Sequence, residues 1–227
     1  MIKKLYRDFK ILGLRKLAGN FLHEGKMFVR RGLKNSFSQN EEDVLIDSFF
    51  NNQNLGFFVD IGAFDPSRFS NTKRFYLKGW RGINIEPDPL RIKKFFQTRS
   101  GDINLNIGIA NEDKVLNFYK FNPGTLSTFS KNTAEEYEKQ GFRLVQVIKV
   151  PVRKLGNVLR EYVKNRKVDF FSIDTEGLDL EVLKSNNWKR FKPKVVCIEG
   201  GDNEEKFLLK LGYKKVFQTP TNSIFLR

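Results

Sequence analysis

The sequence predicts an α/β protein in which a mostly parallel sheet is covered by helices on both faces. From residue 36 onward, short apolar runs alternate with segments whose apolar residues recur at helical spacing. Such alternation is typical of a parallel sheet, because each crossover helix returns the chain to the same end of the sheet. The last two apolar runs are separated only by a turn at Thr219-Pro220-Thr221, so one strand at the end of the chain must be antiparallel.

The elements follow in order from these spacings. Ser38 is predicted to cap the first helix, with Glu41 as its capping-box partner and an apolar stripe at 44–50. Strands are predicted at 57–61, 83–85, 103–107, 116–121, 144–150, 168–173, 194–198, 213–217 and 222–226. The fourth and fifth of these are expected to form a hairpin. Further helices are predicted at 68–78, 88–97, 132–140, 155–164, 179–186 and 203–211.

Composition excludes several classes of protein and of site. The chain has 227 residues, of which 40% are apolar and 30% charged, so it can bury a core and is not expected to be disordered. It has neither an apolar run of the roughly 18–20 residues that cross a bilayer nor a signal-peptide core, which favours a cytoplasmic protein. Cys197 and His23 are the single cysteine and the single histidine, so a Cys/His zinc cluster is excluded and any metal would be held by oxygen ligands.

We predict a basic N-terminal arm at 1–35 that is separate from a domain at 36–227. Residues 1–34 hold ten basic and two acidic side chains, so they carry more than half of the net charge of +15. Apolar residues at positions 2, 5, 9 and 12 lie on one side of a predicted helix. That face would dock on the rest of the chain or on a second copy in a homodimer, or it would lie on an anionic membrane surface as a peripheral anchor at the cytoplasmic face.

Acidic residues follow four of the five predicted parallel strands: Asp60, Glu86, Asp174 and Glu199. In open α/β sheets, ligands bind outside the carboxyl ends of the strands. Any one of these acids could cap the helix that follows it, since helix N-termini favour carboxylates. Four of them at one edge of the sheet indicate a binding site there.

The loop after the first strand favours one class of cofactor. Phe64 and Asp65 stand where a dinucleotide fold has its second glycine, which argues against NAD and FAD, and the chain has no phosphate-binding G-x-x-x-x-G-K-[ST] motif. Glu86 lies 26 residues after Asp60, a position suited to accept both hydroxyls of a ribose. A ligand with a ribose, a positive charge and no phosphate fits these acids, and S-adenosylmethionine has all three properties.

Five motifs occur in sequence along residues 36–227. They are SQNEED at 38–43, FVDIGA at 58–63, SNT at 70–72, GWRGINIEP at 79–87 and IDTEG at 173–177, the last followed by EVL at 181–183. Together they resemble the FkbM-type S-adenosylmethionine-dependent methyltransferases. The resemblance implies a Rossmann-like, seven-stranded class I methyltransferase sheet whose last strand is antiparallel. It also implies methylation of hydroxyl oxygens, often on sugars, glycans or polyketide-type products.

The resemblance further implies which residues bind S-adenosylmethionine. From the methionine part to the ribose, the adenine and the reacting end, these positions are Asp60, Gly62, Ala63, Phe64, Glu86, Pro87, Asn106, Ile107 and Asp174. Gly62 is expected to let the backbone approach the ligand closely, whereas Phe64 departs from the small or polar residues often found at its position. Asn71 and Thr72 follow the first loop and are predicted to hydrogen-bond the cofactor or the acceptor.

Methyl transfer to a hydroxyl benefits from a base, and the carboxylates of the sheet edge are the candidates. Asp174 is the first choice, followed by Glu176 and Glu199. In a second hypothesis, Asp174 and Glu199 hold Mg²⁺, which would lower the pKa of a bound hydroxyl. In a third, Asp174 and Glu176 only cap the helix that follows them and position the cofactor.

We therefore predict an S-adenosylmethionine-dependent O-methyltransferase that acts on a hydroxyl of a sugar, glycan or related small molecule. The net charge of +15 raises a different hypothesis, methylation of RNA. The sequence DTEG at 174–177 disfavours that hypothesis, because amino-nitrogen methylation uses an Asn/Asp-Pro-Pro-aromatic motif there, and nucleic acid is not an expected partner. A third hypothesis is a non-catalytic, membrane-associated interaction protein that keeps the fold.

Overall fold

The computed structural model describes residues 36–51 and 53–227. The predicted arm at 1–35, with its amphipathic helix and His23, lies outside the described residues, so the arm and its boundary stay predictions. Within the described residues, no helix combines the length and the apolar character that crossing a membrane requires.

In the described part of the chain, ten strands form two sheets. In chain order they are β1 (Phe57–Ile61), β2 (Arg81–Ile85), β3 (Ile103–Leu105), β4 (Gly108–Ile109), β5 (Lys114–Asn122), β6 (Arg143–Arg153), β7 (Phe170–Ile173), β8 (Val195–Ile198), β9 (Lys214–Gln218) and β10 (Ser223–Leu226). The larger sheet has seven strands in the order β3-β2-β1-β7-β8-β10-β9. Its neighbours from β3 to β8 are parallel, whereas β10 runs antiparallel to both β8 and β9. The predicted α/β fold, with its antiparallel last strand, is confirmed.

Helices cover both faces of this sheet, as predicted. They are α1 (Glu42–Ser48), α2 (Lys73–Leu77), α3 (Pro89–Thr98), α4 (Lys131–Lys139), α5 (Leu155–Tyr162), α6 (Asp179–Ser185) and α7 (Asp202–Lys210). Ile46 of α1 and Phe75 of α2 belong to one buried apolar cluster. Val158 of α5, Leu183 of α6 and Leu208 of α7 belong to another. The sheet therefore separates two cores.

Strand β1 shows why these strands read as continuous apolar runs. All five of its residues are buried. Phe57, Val59 and Ile61 contribute to the core that contains α5, α6 and α7, whereas Phe58 contributes to the opposite core. Successive side chains of a strand point to opposite faces, so a strand covered on both sides needs apolar residues at nearly every position.

A second, three-stranded sheet is built around an insertion at 114–153. Strands β5 and β6 pair antiparallel over their whole length, from Lys114 opposite Val152 to Asn122 opposite Arg143, which confirms the predicted hairpin. The short strand β4 pairs parallel with the end of β6. Between β5 and β6 the chain forms a 3-10 turn (Gly124–Leu126) and helix α4. In chain order, the insertion thus follows β3 and β4 and leads directly into α5.

The predicted capping box at Ser38 and Glu41 is wrong. The Ser38 hydroxyl donates to Asp43 Oδ1 at 2.8 Å and accepts the backbone N–H of Asp43 at 3.2 Å. The reciprocal partner is thus Asp43, inside the helix, and the backbone turns at Glu41, whose φ is 68°.

The helix predicted at 68–78 begins only at Lys73, as α2. The hydroxyl of Ser70 accepts the backbone N–H of Lys73 at 3.1 Å, and the Ser70 backbone N–H donates to Phe37 O at 3.0 Å. Such side-chain and long-range bonds satisfy backbone groups outside a helix and delay its start.

Candidate active site

The loops after β1, β7 and β8 meet at one edge of the main sheet. Backbone hydrogen bonds continue the strand ladder past the strand ends. The amide of Asp174 donates to Ile61 O at 2.9 Å, and that of Glu199 donates to Ile173 O at 3.0 Å. Asp174 and Glu199 therefore lie side by side, as expected for the carboxyl ends of parallel strands. The prediction that Asp60 follows its strand is wrong, because Asp60 lies within β1.

Glu86, the predicted ribose-binding acid, is held firmly after β2. The residue is 2% exposed. Its Oε2 accepts the backbone N–H of Phe64 at 2.9 Å, and its Oε1 accepts that of Asp88 at 2.8 Å. Burial raises the pKa of Glu86 to about 7, while Arg91 and the two N–H donors oppose that rise. A carboxylate offers about four lone-pair sites, so each oxygen keeps one acceptor site for a ribose hydroxyl.

Asn106 supports the turn that follows Glu86. Its side-chain amide donates to the carbonyl oxygens of Glu86 at 2.9 Å and Pro87 at 3.0 Å. Ile107 is half-buried and packs against the core that contains α5, α6 and α7. Asn106 therefore fixes the backbone beside the ribose acid, and the predicted adenine contacts of Asn106 and Ile107 stay predictions.

Phe64 has a left-handed backbone, with a φ of 55°. A non-glycine residue in this conformation is uncommon and is found where the surroundings enforce it. Here its N–H donates to Glu86, and its ring lies 4.3 Å from the guanidinium carbon of Arg91 and stacks on Phe69 at 6.2 Å. The neighbouring Ala63 is buried. The Phe64 ring therefore forms part of the wall beside Glu86.

Gly62 is required by a contact between two loops. Its φ is 80°, and a Cβ at this position would collide with the carbonyl oxygen of Asp174. We expected this glycine to allow the backbone to approach a ligand, but the group it approaches in the structure is this carbonyl. Gly62 therefore brings the β1 loop close to the acidic loop after β7, and its contact with a cofactor stays a prediction.

Asp60 and Thr72 belong to a buried polar network. The Thr72 hydroxyl donates to Asp60 Oδ2 at 2.6 Å, and Arg99 donates to Thr72 Oγ1 at 2.8 Å and to Ser70 Oγ at 2.8 Å. Arg99 also donates to the carbonyl of Pro66. Burial raises the pKa of Asp60, and Thr72 and Arg99 oppose that rise. Both predicted cofactor ligands are thus bonded to the protein, and their contact with a cofactor stays a prediction.

Sequence reasoning missed Arg99, which is fully buried at the end of α3. In the sequence, no pattern distinguishes a buried arginine at a helix end from a solvated arginine.

Asn71 is directed toward the centre of the sheet, where its amide donates to Ser172 Oγ at 3.2 Å and lies 3.7 Å from Cys197 Sγ. Its predicted contact with the cofactor or the acceptor stays a prediction.

Asp174, Glu176 and Glu199 form an acidic cluster. Their carboxylate oxygens lie within 4.8 Å of one another. The pKa of Asp174 is raised well above its ordinary value. Desolvation by the surrounding protein is the largest cause, followed by the carboxylates of Glu199 and Glu176, although the residue keeps an exposed surface. Desolvation and Glu199 raise the pKa of Glu176 to about 8. The structure therefore brings together all three residues predicted to be catalytic.

The hypothesis that Asp174 and Glu176 cap the following helix is wrong, whereas their predicted role in positioning the cofactor stays a prediction. Helix α6 begins at Asp179, and in the described part of the chain no side-chain hydrogen bond caps its first turn. Asp179 instead accepts the backbone N–H groups of Thr175 at 3.0 Å and Gly177 at 3.3 Å, and so holds the acidic loop from within the helix. The carboxylates of Asp174 and Glu176 are left to face the site.

Two residues of the insertion hold Glu176. The hydroxyl of Tyr137, from α4, donates to Glu176 Oε2 at 3.0 Å, and that of Thr128 donates to the Glu176 carbonyl at 2.7 Å. The backbone of Glu176 is left-handed, with a φ of 51°. Burial and the neighbouring acids, Glu176 first among them, raise the pKa of Tyr137. Sequence reasoning missed Tyr137, because it lies 39 residues from the acid that it contacts.

The acidic cluster has the donor chemistry of a divalent cation site. Three carboxylates at this separation supply the hard oxygen ligands that Mg²⁺ prefers. Asp174 and Glu199, the predicted metal ligands, both belong to it, and Glu176 adds a third. Occupancy by a metal stays a prediction.

Comparisons with known proteins identify the domain. A family model described as "Methyltransferase FkbM domain" matches residues 60–215. A search of curated proteins gives no match. Among solved structures, the METTL16 MTase domain superposes with a TM-score of 0.44 at 15% sequence identity, covering 82% of this chain and 65% of that one. The chain thus spans slightly less than two thirds of the length of this neighbour.

Proposed function

Because this chain belongs to the FkbM methyltransferase family, we propose that it transfers a methyl group from S-adenosylmethionine to a hydroxyl of a sugar, glycan or related small molecule. The observation that carries the proposal is the arrangement of Glu86 and the acidic cluster along one sheet edge. All of these residues lie within the matched range 60–215. One acid suits a ribose, and the others surround the place where a hydroxyl would lose its proton.

The donor end of the site is built to hold a nucleoside. S-adenosylmethionine supplies a methyl group on a positively charged sulfur that is already activated for transfer. Glu86 accepts hydrogen bonds from the ribose hydroxyls through the acceptor sites that Phe64 and Asp88 leave open. Asn106 keeps the backbone of this turn in place. Glu86 is buried, which strengthens hydrogen bonds to its carboxylate.

The acceptor end supplies the base. Asp174 takes the proton of the acceptor hydroxyl while the new oxygen–carbon bond forms and the sulfur–carbon bond breaks. Glu199 and Glu176 support this role, because neighbouring carboxylates make Asp174 a stronger base. Tyr137 keeps Glu176 oriented. The negative cluster also attracts the cationic sulfonium of S-adenosylmethionine more strongly than the neutral sulfur of S-adenosylhomocysteine, and this difference assists product release.

We also propose that the cluster can hold Mg²⁺, with Asp174, Glu176 and Glu199 as ligands. Their mutual distance supports this proposal. A bound cation would lower the pKa of an acceptor hydroxyl and take over part of the work of the base. If Asp174 acts as the base without a metal, a chelator should leave turnover unchanged, whereas a required Mg²⁺ would make turnover sensitive to the chelator. A single assay therefore separates the two proposals.

The test measures S-adenosylhomocysteine formed by the full chain with a panel of monosaccharides, glycans and polyols, and with RNA. We expect turnover with a hydroxyl compound, and a loss of about 10²-fold or more in kcat for Asp174→Asn. The matched control Glu138→Gln, an exposed acid on α4, should keep the wild-type rate. EDTA that abolishes turnover, with recovery on adding Mg²⁺, would support the metal. Turnover with RNA and with none of the hydroxyl compounds would contradict the proposed acceptor class.

A further inference from the structure

The insertion reaches the ribose end of the site through a buried ion pair. Lys120, on β5, lies with its Nζ 2.9 Å from Asp88 Oδ2. The two side chains are only 13% and 6% exposed. A surface ion pair contributes little, but a buried carboxylate that loses its partner is strongly destabilised. Lys120 therefore has a larger influence on Asp88 than an exposed lysine would have.

Asp88 in turn contacts the ribose acid. Its backbone N–H donates to Glu86 Oε1 at 2.8 Å, and its side-chain Oδ1 caps α3 by accepting the N–H of Leu90 at 2.9 Å. One carboxylate oxygen of Asp88 thus fixes the helix start, and the other binds Lys120. This pair of bonds sets the position of the N–H that holds Glu86.

A second contact from the insertion acts on the other oxygen of Glu86. Gly124 lies against Arg91, and a Cβ at position 124 would collide with the Arg91 guanidinium. Arg91 lies over the ring of Phe64, whose N–H donates to Glu86 Oε2 at 2.9 Å. The insertion therefore contacts the residue that holds Oε1 of Glu86, Asp88, directly, and it reaches the residue that holds Oε2, Phe64, through Arg91.

We propose that the insertion completes the cofactor site, and that Lys120 is a positioning residue that orients Glu86 toward the ribose through Asp88. This inference rests on the proposed function, since it assumes that Glu86 binds the ribose of S-adenosylmethionine. It assigns to the insertion a role at the donor end, in addition to the contacts of Tyr137 and Thr128 at the acceptor end. The insertion would then support the acids at both ends of the site.

The charges around Glu86 give this role a measurable signature. The groups that act on Glu86 are Arg91, which lowers its pKa, and Asp88, which raises it. Lys120 neutralises Asp88 from the insertion. Removal of Lys120 leaves Arg91, 3.7 Å away, as the remaining cationic partner of the Asp88 carboxylate. The Asp88 charge is then less fully compensated, so the pKa of Glu86 should rise further. A purely structural role for Lys120 would lower stability but would not move this titration.

The experiment is calorimetric titration of S-adenosylhomocysteine into the full chain between pH 6 and pH 9. For Lys120→Met we expect the Kd to rise by about five- to fiftyfold, which lies within the usual range for coupling between sites. We also expect the pH midpoint of the affinity, at which half of the pH-dependent change has occurred, to be higher than in the wild type. Lys120→Arg should restore most of the affinity. The matched control Lys149→Met, an exposed lysine on the paired strand β6, should behave like the wild type.

Gly124→Ala tests the same inference without removing a charge. The added methyl should displace Arg91, weaken binding and shift the pH midpoint in the same direction, because Arg91 lowers the pKa of Glu86. Binding and midpoint that match the wild type in both Lys120→Met and Gly124→Ala would overturn the inference and leave the proposed function intact. A wild-type protein that does not bind S-adenosylhomocysteine would overturn the proposed function, and the inference with it.

Discussion

The two ends of the site differ in how their acids are balanced. At the ribose end, Glu86 is held by two backbone N–H groups and faces Arg91, and the adjacent Asp88 is paired with Lys120. At the acceptor end, the charged groups that act on Asp174 are the carboxylates Glu199, Glu176 and Asp179. The carboxylates of the ribose end are therefore electrostatically compensated, and those of the acceptor end are not.

This difference indicates two kinds of work. A compensated, preorganised acid is suited to hold a ligand that must bind in one orientation. An uncompensated cluster costs folding free energy, and such clusters are typical of places where a raised pKa is needed for proton transfer. We therefore expect substitutions at the ribose end to weaken cofactor binding. Neutralisation of a carboxylate at the acceptor end should instead stabilise the fold while it lowers the rate of methyl transfer.

The largest effect should come from the network beneath both ends. Arg99→Met removes the cation that faces the buried Asp60 and the donor to Pro66 O, Ser70 and Thr72. We expect the free energy of unfolding to fall by about 3–5 kcal/mol in urea denaturation. Arg160→Met, at an exposed position on α5, should change it by no more than about 0.5 kcal/mol. Equal stability of the two variants would show that the network does not support the site.

The ribose end should impose a pH dependence on cofactor binding. Glu86 has a pKa of about 7 in the folded protein, so it becomes protonated below that pH and can no longer accept both ribose hydroxyls. The affinity for S-adenosylhomocysteine should fall by about tenfold for each pH unit below 7. Calorimetry from pH 5.5 to 8.5 measures this, and Glu86→Gln should remove the dependence.

The same pKa has the opposite effect on stability. A carboxyl whose pKa is raised on folding contributes stability that is fully present below its ordinary value of 4.5 and is lost as the pH rises through about 7. Without ligand, the wild type should therefore lose stability relative to Glu86→Gln between pH 5 and pH 8. A constant difference across this range would show that Glu86 has an ordinary pKa.

The acceptor end should respond to neutralisation by becoming more stable. Glu199→Gln removes one charge from the cluster and relieves its repulsion on Asp174 and Glu176. We expect the free energy of unfolding to rise by about 0.5–2 kcal/mol at pH 8, measured in EDTA, while methyl transfer falls. A destabilised Glu199→Gln would contradict this account and show that a cation compensates the three carboxylates.

The smallest effect should come from Tyr137. Tyr137→Phe removes the hydrogen bond to Glu176 Oε2 and should lower the free energy of unfolding by about 1 kcal/mol. Affinity for S-adenosylhomocysteine should not change, because Tyr137 acts at the acceptor end. Tyr119→Phe, on strand β5 of the same insertion, is the matched control for loss of a hydroxyl. Weaker cofactor binding in Tyr137→Phe alone would contradict the separation of the two ends.

The sequence allowed the sheet and the edge that carries the site to be predicted, because these depend on patterns that are local in the chain. A strand buried on both faces must be apolar at nearly every position, as β1 is apart from Asp60, and the acids at 86, 174 and 199 follow strands that could be recognised in this way. The positions of Glu86 and the acidic cluster then follow from the geometry of parallel strands.

The groups that tune these acids could not be predicted, because each acts across a long stretch of chain. Arg99 binds a carbonyl 33 residues earlier, and Tyr137 binds an acid 39 residues later. In the sequence, nothing distinguishes Lys120 from an exposed lysine of a hairpin, and only the structure shows its pairing with Asp88. The capping box failed for a related reason: three acids follow Ser38 closely, Glu41, Glu42 and Asp43, and only the folded backbone selects Asp43.

The central claim is that the ribose end binds the cofactor and the acceptor end does not control that binding. The most direct test is calorimetric titration of S-adenosylhomocysteine, at pH 8 in EDTA, into the wild type, Glu86→Ala and Glu199→Gln. We expect Glu86→Ala to lose about 1–3 kcal/mol of binding free energy, the cost of leaving ribose hydroxyls unpaired, and Glu199→Gln to keep the wild-type affinity. Equal losses in the two variants, or no binding by the wild type, would contradict the claim.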